Sequence, residues 1–251
     1  MSLTMYGIWK LRTLEKALPG ENWNPKRVAG YLLLWPGTER QRFLDAGSDV
    51  ERPNAQESIT AILFLVAGAG LWYAARRFAS TDPRLAGALG LAALVCVFHF
   101  GLFHLASIAW RSFGVDAPPI MNQPWRASSL ADFWGRRWND AFHAPVHRRL
   151  FRPASRQWTP AWATMSVFIF SGLVHELVIS VPARGGFGLP TLYFLFQGGG
   201  LLLGRGKILA ACQSRSERCQ RLWAWFVVVA PVPLLFHPLF LERVIAPMLS
   251  L

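Results

Sequence analysis

Apolar residues fall into five long runs separated by polar, Arg-rich stretches: 59–75, 85–110, 161–181, 189–203 and 222–241. A bilayer's hydrocarbon core is about 30 Å thick and takes about 20 apolar residues as a helix. The first run sits at the short end of that requirement, and the fourth is short and interrupted by glycines. Lipid offers no hydrogen-bond partner, so each run must satisfy its own backbone, which favours helices. A sixth run, 28–35, is too short to span and ends at Trp35-Pro36-Gly37, as an interfacial or re-entrant piece would. The pattern predicts an all-α, multi-pass integral membrane protein with about five to seven transmembrane helices around an embedded chamber. A polar segment, 1–27, precedes the membrane part, 28–251. The first ten residues hold no long apolar core behind a basic region, so no cleavable signal is expected.

Charge adds an orientation. The 251 residues carry 26 Lys and Arg against 14 Asp and Glu, a formal net charge of +12. With the five runs numbered in order, alternate loops 36–58, 111–160 and 204–221 hold 16 basic residues, and the opposite loops with the C-terminus hold 5. The basic side is expected to be cytoplasmic. That places loop 111–160 in the cytoplasm, and the high Arg share with no targeting signal suggests a bacterial inner membrane. Nucleic-acid binding is a poor alternative, because the basic residues are split among loops beside apolar spans. Charged residues are only 16% of the chain, against about 25% in soluble domains, and 53% are hydrophobic, which excludes a long disordered chain. Three cysteines without zinc spacing exclude a disulfide framework and point to no metal.

Loop 111–160 is too long for a simple connection. Within it, 129–143 has helical periodicity: Leu130, Phe133, Trp134, Trp138 and Ala141 make an apolar face, and Asp132, Arg136, Asn139 and His143 lie opposite. Ser129 followed three residues later by Asp132 is an N-terminal capping pattern. The expected element is an amphipathic helix lying on the membrane surface. Such a helix accounts for Trp134, Trp138, Arg136 and Arg137, but Asn139 gains little at a lipid surface. Arg148, Arg149, Arg152 and Arg156 follow as a cationic patch. It serves either a phosphorylated cytosolic ligand such as coenzyme A or topology alone, and charge by itself favours topology.

The strongest physical oddity is His175-Glu176 inside the third run. Ionisable residues at that depth are costly and face a protein interior or a wet cavity. His175 shares a helical face with Thr164, Phe168 and Ser171, and the small Ser171 and Gly172 permit close approach of another chain or a ligand. Two readings stand level: a neutral imidazole acting as general base on a hydroxyl, or a helix–helix hydrogen bond. Glu176 faces another direction and is read as structural. His99 and His104 point different ways on a regular helix, His143 and His147 lack a third metal ligand, and His237 is read as interfacial.

Two motifs together resemble a known family. Asn122-Gln123-Pro124, then Ser128-Ser129-Leu130-Ala131-Asp132-Phe133-Trp134-Gly135-Arg136-Arg137-Trp138-Asn139, is similar to the signature of wax-synthase-like membrane-bound O-acyltransferases. Ser171-Gly172-Leu173-Val174-His175-Glu176 resembles the family's second signature, and Phe236-His237-Pro238 is a further similarity. The resemblance covers most of 28–251 and makes that stretch an O-acyltransferase domain with 111–160 as its motif loop. It implies an acyl-CoA-dependent enzyme moving a fatty acyl group to the hydroxyl of a lipophilic alcohol, giving a wax-type ester. Diacylglycerol, a terpenoid or sterol-like alcohol and a sugar hydroxyl are alternative acceptors, and a catalytically silent lipid-binding membrane protein is the alternative class. By the same resemblance His175 is the base and Asn139 the second catalytic residue. Phe133, Trp134, Arg136, Arg137, Trp138 and Ser171 bind substrate. Acyl-CoA is a co-substrate, and no cofactor or acyl-enzyme is implied. Family members begin with additional membrane helices, so a partner chain or a second copy is expected to complete the chamber wall.

Overall fold

The structure, a computed structural model, describes residues 7, 10–11, 24–45, 50–204 and 216–250. Most of the polar segment 1–27 and Cys212 lie outside them. Every regular element among the described residues is helical.

Two short helices come first, α1 (Pro25–Leu33) and α2 (Arg40–Leu44). At nine residues α1 is far too short to cross a bilayer, as the run 28–35 suggested. Tyr31, Trp35 and Phe43 pack with Val115, Ala117 and Ile120 in a small core of their own. Thr38 donates to the carbonyl of Ala141 at 2.6 Å, and Arg42 forks onto Asp116 at 2.7 and 3.0 Å. These contacts seat the first helices on the motif loop.

Helices α3 (Ala55–Phe78) and α4 (Pro83–Ser112) are both long and apolar enough to cross a membrane. The start of α3 is set by a capping box, Asn54 accepting from Glu57 N at 2.9 Å while Glu57 accepts from Asn54 N at 3.3 Å. Its last turn carries Arg76 and Arg77, the charge that suits a helix C-terminus. Asp82 caps α4, accepting from Arg84 N and Leu85 N. Ile59, Ile62, Leu63 and Val66 are exposed, as a lipid-facing surface requires. The buried guanidinium of Arg111, near the end of α4, pairs with Glu57 at the start of α3, and His104 Nε2 lies 3.6 Å from the same carboxylate. A charge taken out of water needs such a partner.

The motif loop folds as two broken helices. Helix α5 runs over Leu130–Asp132 and continues as the wide π-turn Phe133–Arg137. Helix α6 joins Asp140–Val146, His147–Phe151 and Arg152–Gln157. The third membrane-crossing helix is α7 (Pro160–Ala183), and α8 (Leu189–Gly204) packs back along it. The last two helices are α9 (Glu217–Leu235) and α10 (Pro238–Met248), bent by 58° where they meet.

Among the described residues, three helices are therefore long and apolar enough to cross, or four if α9 and α10 make one broken span. That is below the five to seven expected. The fourth run yields a helix of 16 residues, about 24 Å at 1.5 Å per residue and short of the core's thickness. The fifth is interrupted at His237, whose extended backbone (ψ 157°) precedes a proline that starts a new helix. His237, expected near the membrane edge, is packed inside the protein. It is 1% exposed, and its Nδ1 accepts from Phe240 N at 3.3 Å to cap α10.

The hairpin of α7 and α8 is drawn tight at Gly172, as its size suggested. A Cβ there would lie 2.7 Å from Thr191 Cα. Since that neighbour is backbone, Gly172→Val must push α8 away. A loss of about 2 kcal/mol or more is expected, read as earlier thermal unfolding in detergent. Unchanged unfolding would mean that the helices separate without cost.

Candidate active site

The face of α7 anticipated from sequence is the face turned inward: Thr164, Phe168 and Ser171 are all buried. His175 follows one turn later, half-buried, about 22 Å along the helix from Pro160. Its Nδ1 lies 2.7 Å from the carbonyl oxygen of Ser171. A carbonyl can only accept, so Nδ1 carries the hydrogen and Nε2 holds the ring's free lone pair. Ser171 contributes that carbonyl rather than its hydroxyl, which donates to Val167 O at 2.9 Å. The next residue, Glu176, accepts at one oxygen from Gly188 N, Thr191 N and Thr191 Oγ1 at 3.0, 3.0 and 2.9 Å. It thereby ties the turn before α8 to α7 beside His175. A structural role for Glu176 is what its direction on the helix implied.

The continuous surface helix expected over 129–143 is absent. Ser129 does cap, accepting from Asp132 N at 3.1 Å. The helix then widens into its π-turn, and Trp138 N donates to Phe133 O, five residues back. Trp138 is extended (φ −102°, ψ 117°), and Asn139 adopts the left-handed conformation at φ 50°. Asparagine is among the few L-residues that visit this region readily. The break is braced from segment 120–122: Asn122 N donates to Arg137 O at 2.9 Å, Asp140 N to Ile120 O at 3.0 Å, and Asn139 N lies 3.2 Å from Met121 Sδ. Beyond the break, Asn139 O accepts from Phe142 N and His143 N and so starts α6. Asp132, Arg136, Asn139 and His143 therefore do not share one polar helical face.

Aromatic rings connect the two motifs. The ring of His175 sits 4.5 Å from Phe194 of α8, and Phe194 lies 5.9 Å from Trp134. Trp134 also meets Phe168 edge-on at 5.8 Å and Phe133 at 5.1 Å, and Phe133 stacks on Trp138 at 5.4 Å. Of the expected substrate-binding residues, Phe133 is core, 4% exposed and packed on Trp225, while Trp134 reaches the ring wall beside His175. Arg136 and Arg137 turn back on Asp132, Nε to carboxylate oxygen at 3.0 and 2.6 Å.

Residues 117–196, which carry both motifs, match the family model described as membrane bound O-acyl transferase. This segment belongs to that family. The chain is also similar to curated plant proteins. It is 42% identical over 80 residues to the long-chain-alcohol O-fatty-acyltransferase of Simmondsia chinensis, covering 29% of this chain and 23% of that protein. Over 147 residues it is 32% identical to the probable long-chain-alcohol O-fatty-acyltransferase 9 of Arabidopsis thaliana, 52% of this chain and 42% of that protein. A third relative, number 3 of the same Arabidopsis series, is 32% identical over 101 residues, 37% of this chain and 30% of that protein. The matched stretches span less than half of each relative. These relatives are plant proteins, so they lend no support to a bacterial inner membrane; the membrane itself rests on the family and the apolar helices.

Two further side chains of the site escaped the reading of the sequence. Phe194 covers the imidazole, and Gln197, 0% exposed, accepts from Trp134 Nε1 at 3.2 Å while donating to Val227 O at 2.7 Å. Both lie on α8, roughly 60 residues beyond the first motif. A lone glutamine in an apolar run was the one available signal for the second.

Asp132 holds the motif loop electrostatically. Burial alone would raise its pKa. Arg137, the Ser128 backbone N–H and Arg136 outweigh burial and hold the carboxyl below its usual range. A depressed folded-state pKa stabilises above the unfolded value of about 3.9 and is lost as pH falls through the folded value. Asp132→Asn is therefore expected to cost about 2 kcal/mol at pH 7, chiefly by leaving the half-buried Arg137 without its partner, since Arg136 is 76% exposed and solvated without the pair. That deficit against wild type should shrink below about pH 4, measured by thermal unfolding from pH 7 to 3. A deficit constant across that range would assign the loss to packing rather than charge.

Proposed function

We propose that this chain is a membrane-embedded O-acyltransferase that moves a fatty acyl group from acyl-CoA to the hydroxyl of a lipophilic alcohol, giving a wax-type ester. The observation that carries the reading is His175: its Nδ1–H is committed to Ser171 O, which leaves Nε2 as a proton acceptor inside a membrane-crossing helix. Nε2 takes the acceptor's hydroxyl proton as the oxygen attacks the thioester carbonyl carbon. The carbon–sulfur bond breaks, and the proton passes to the leaving thiolate to give free CoA. Asn139 donates its amide hydrogens to the carbonyl oxygen as negative charge builds there. The relatives, long-chain-alcohol O-fatty-acyltransferases by name, support the long-chain alcohol as acceptor.

The donor arrives from the cytosol in this proposal, and loop 111–160 lies on that side. A cavity of about 270 Å³ between α2 and α6 is lined by Arg40, Arg148 and Arg149, with Glu39 paired to Arg148. Its cationic lining supports a phosphate-bearing donor. The test is ester formation by purified protein from labelled palmitoyl-CoA against long-chain alcohols, diacylglycerol, a terpenoid alcohol and a sugar. Wax-type ester is expected. No ester from any acceptor, in protein that still binds acyl-CoA, would overturn the proposal in favour of a silent lipid-binding protein.

A further inference from the structure

Helix α4 carries a histidine that the proposed reaction does not use. His99 lies in the π-helical stretch Val95–Leu102, 13 residues before Ser112 and so about 20 Å along the helix from its end at the motif-loop side. Its ring is nearly parallel to that of Trp138, at 6.3 Å and 13°, and tilts against Phe103 at 5.7 Å. Trp138 is the residue before Asn139 and stacks in turn on Phe133. His99 is thus the far end of the ring series that reaches His175 through Trp134 and Phe194.

The polar edge of this ring has no protein partner. His99 Nδ1 is buried and makes no hydrogen bond among the described residues. His104, five residues on, differs in having the Glu57 carboxylate at 3.6 Å. A buried polar atom without a partner is costly, and more so at membrane depth, where water is scarce. Such an atom, held beside a reaction motif by a ring stack, is satisfied once a ligand oxygen arrives. The depth selects among ligands. A CoA headgroup stays at the aqueous face, whereas a lipophilic alcohol enters from the hydrocarbon that surrounds α4.

We infer that His99 is a binding residue on the acceptor's path to His175, its imidazole hydrogen-bonding the hydroxyl of a long-chain alcohol that rests against Trp138 before the hydroxyl moves on to Nε2. The inference rests on the O-acyltransferase reading for its kinetic arm and stands alone in its binding arm. In the kinetic arm, His99→Phe keeps ring stacking and removes the hydrogen bond. It is expected to raise the KM for the alcohol roughly five- to tenfold, with the KM for acyl-CoA unchanged and kcat within about twofold. His99→Gln, which retains polar atoms, is expected to restore most of that loss. An unchanged alcohol KM in His99→Phe, or an equal rise in both KM values, would overturn the assignment.

In the binding arm, a diazirine-bearing long-chain alcohol is photo-cross-linked to wild-type protein without acyl-CoA, and the adducts are mapped by mass spectrometry. Adducts within 95–102 or at Trp138, diminished by His99→Phe, are expected. Adducts confined elsewhere would overturn the inference even if ester forms. Adducts at 95–102 with no ester from any alcohol would instead remove the proposed reaction and leave His99 as an alcohol-binding residue.

Discussion

His175→Ala is expected to abolish ester formation, with a fall in kcat on the order of 10³-fold, while the protein still folds and binds acyl-CoA. The two effects differ because the side chain makes one hydrogen bond, to a carbonyl of its own helix. Losing that bond costs about 1 kcal/mol. Losing a positioned base costs about 4 kcal/mol of transition-state stabilisation, the equivalent of a thousandfold. Labelled ester measured beside thermal unfolding separates the two quantities. Full activity in a folded His175→Ala protein would remove the imidazole from the chemistry and leave it as a helix-packing residue. A loss of activity that merely tracks unfolding would say the same.

The second large effect concerns Asn139, where geometry and chemistry ask for the same residue. At φ 50° the backbone suits asparagine or glycine, and alanine there costs about 1 kcal/mol. Asn139→Gly keeps the turn and removes the amide; Asn139→Ala removes both. If the amide stabilises the developing oxyanion, both variants lose on the order of 10²-fold in kcat, and only Asn139→Ala also loses stability. If Asn139 serves only the turn, Asn139→Gly stays active. Ester formation by the glycine variant is therefore the decisive measurement.

Much of α7 was legible from the sequence. Thr164, Phe168, Ser171 and His175 recur at the period of a regular helix, and α7 stays regular until His175. The first motif announced its residue types but not its shape. A period of 3.6 contains no π-turn, so it sets Arg136 and Asn139 on one face although the helix breaks between them. The number of crossings was overread for a related reason. Apolar composition records that a segment avoids water, and α8 does so by packing on α7 although it is too short to span. Phe194, Gln197 and His99 reach the ring series only through tertiary packing, which no local pattern encodes.

The attachment of Arg136 and Arg137 to Asp132 has a consequence for how salt acts on the protein. One negative charge offsets half of the motif's positive charge, and the Arg137–Asp132 contact is largely withdrawn from solvent. Dissolved ions screen exposed charges across about 10 Å at 0.1 M but reach buried pairs poorly. Raising ionic strength therefore leaves the shape of the motif turn intact while it weakens the attraction between an anionic visitor and the arginines of α6. If the arginines of α6 hold the donor as proposed, its recognition and the integrity of the turn around Asn139 are electrically decoupled, although both depend on arginines of one loop.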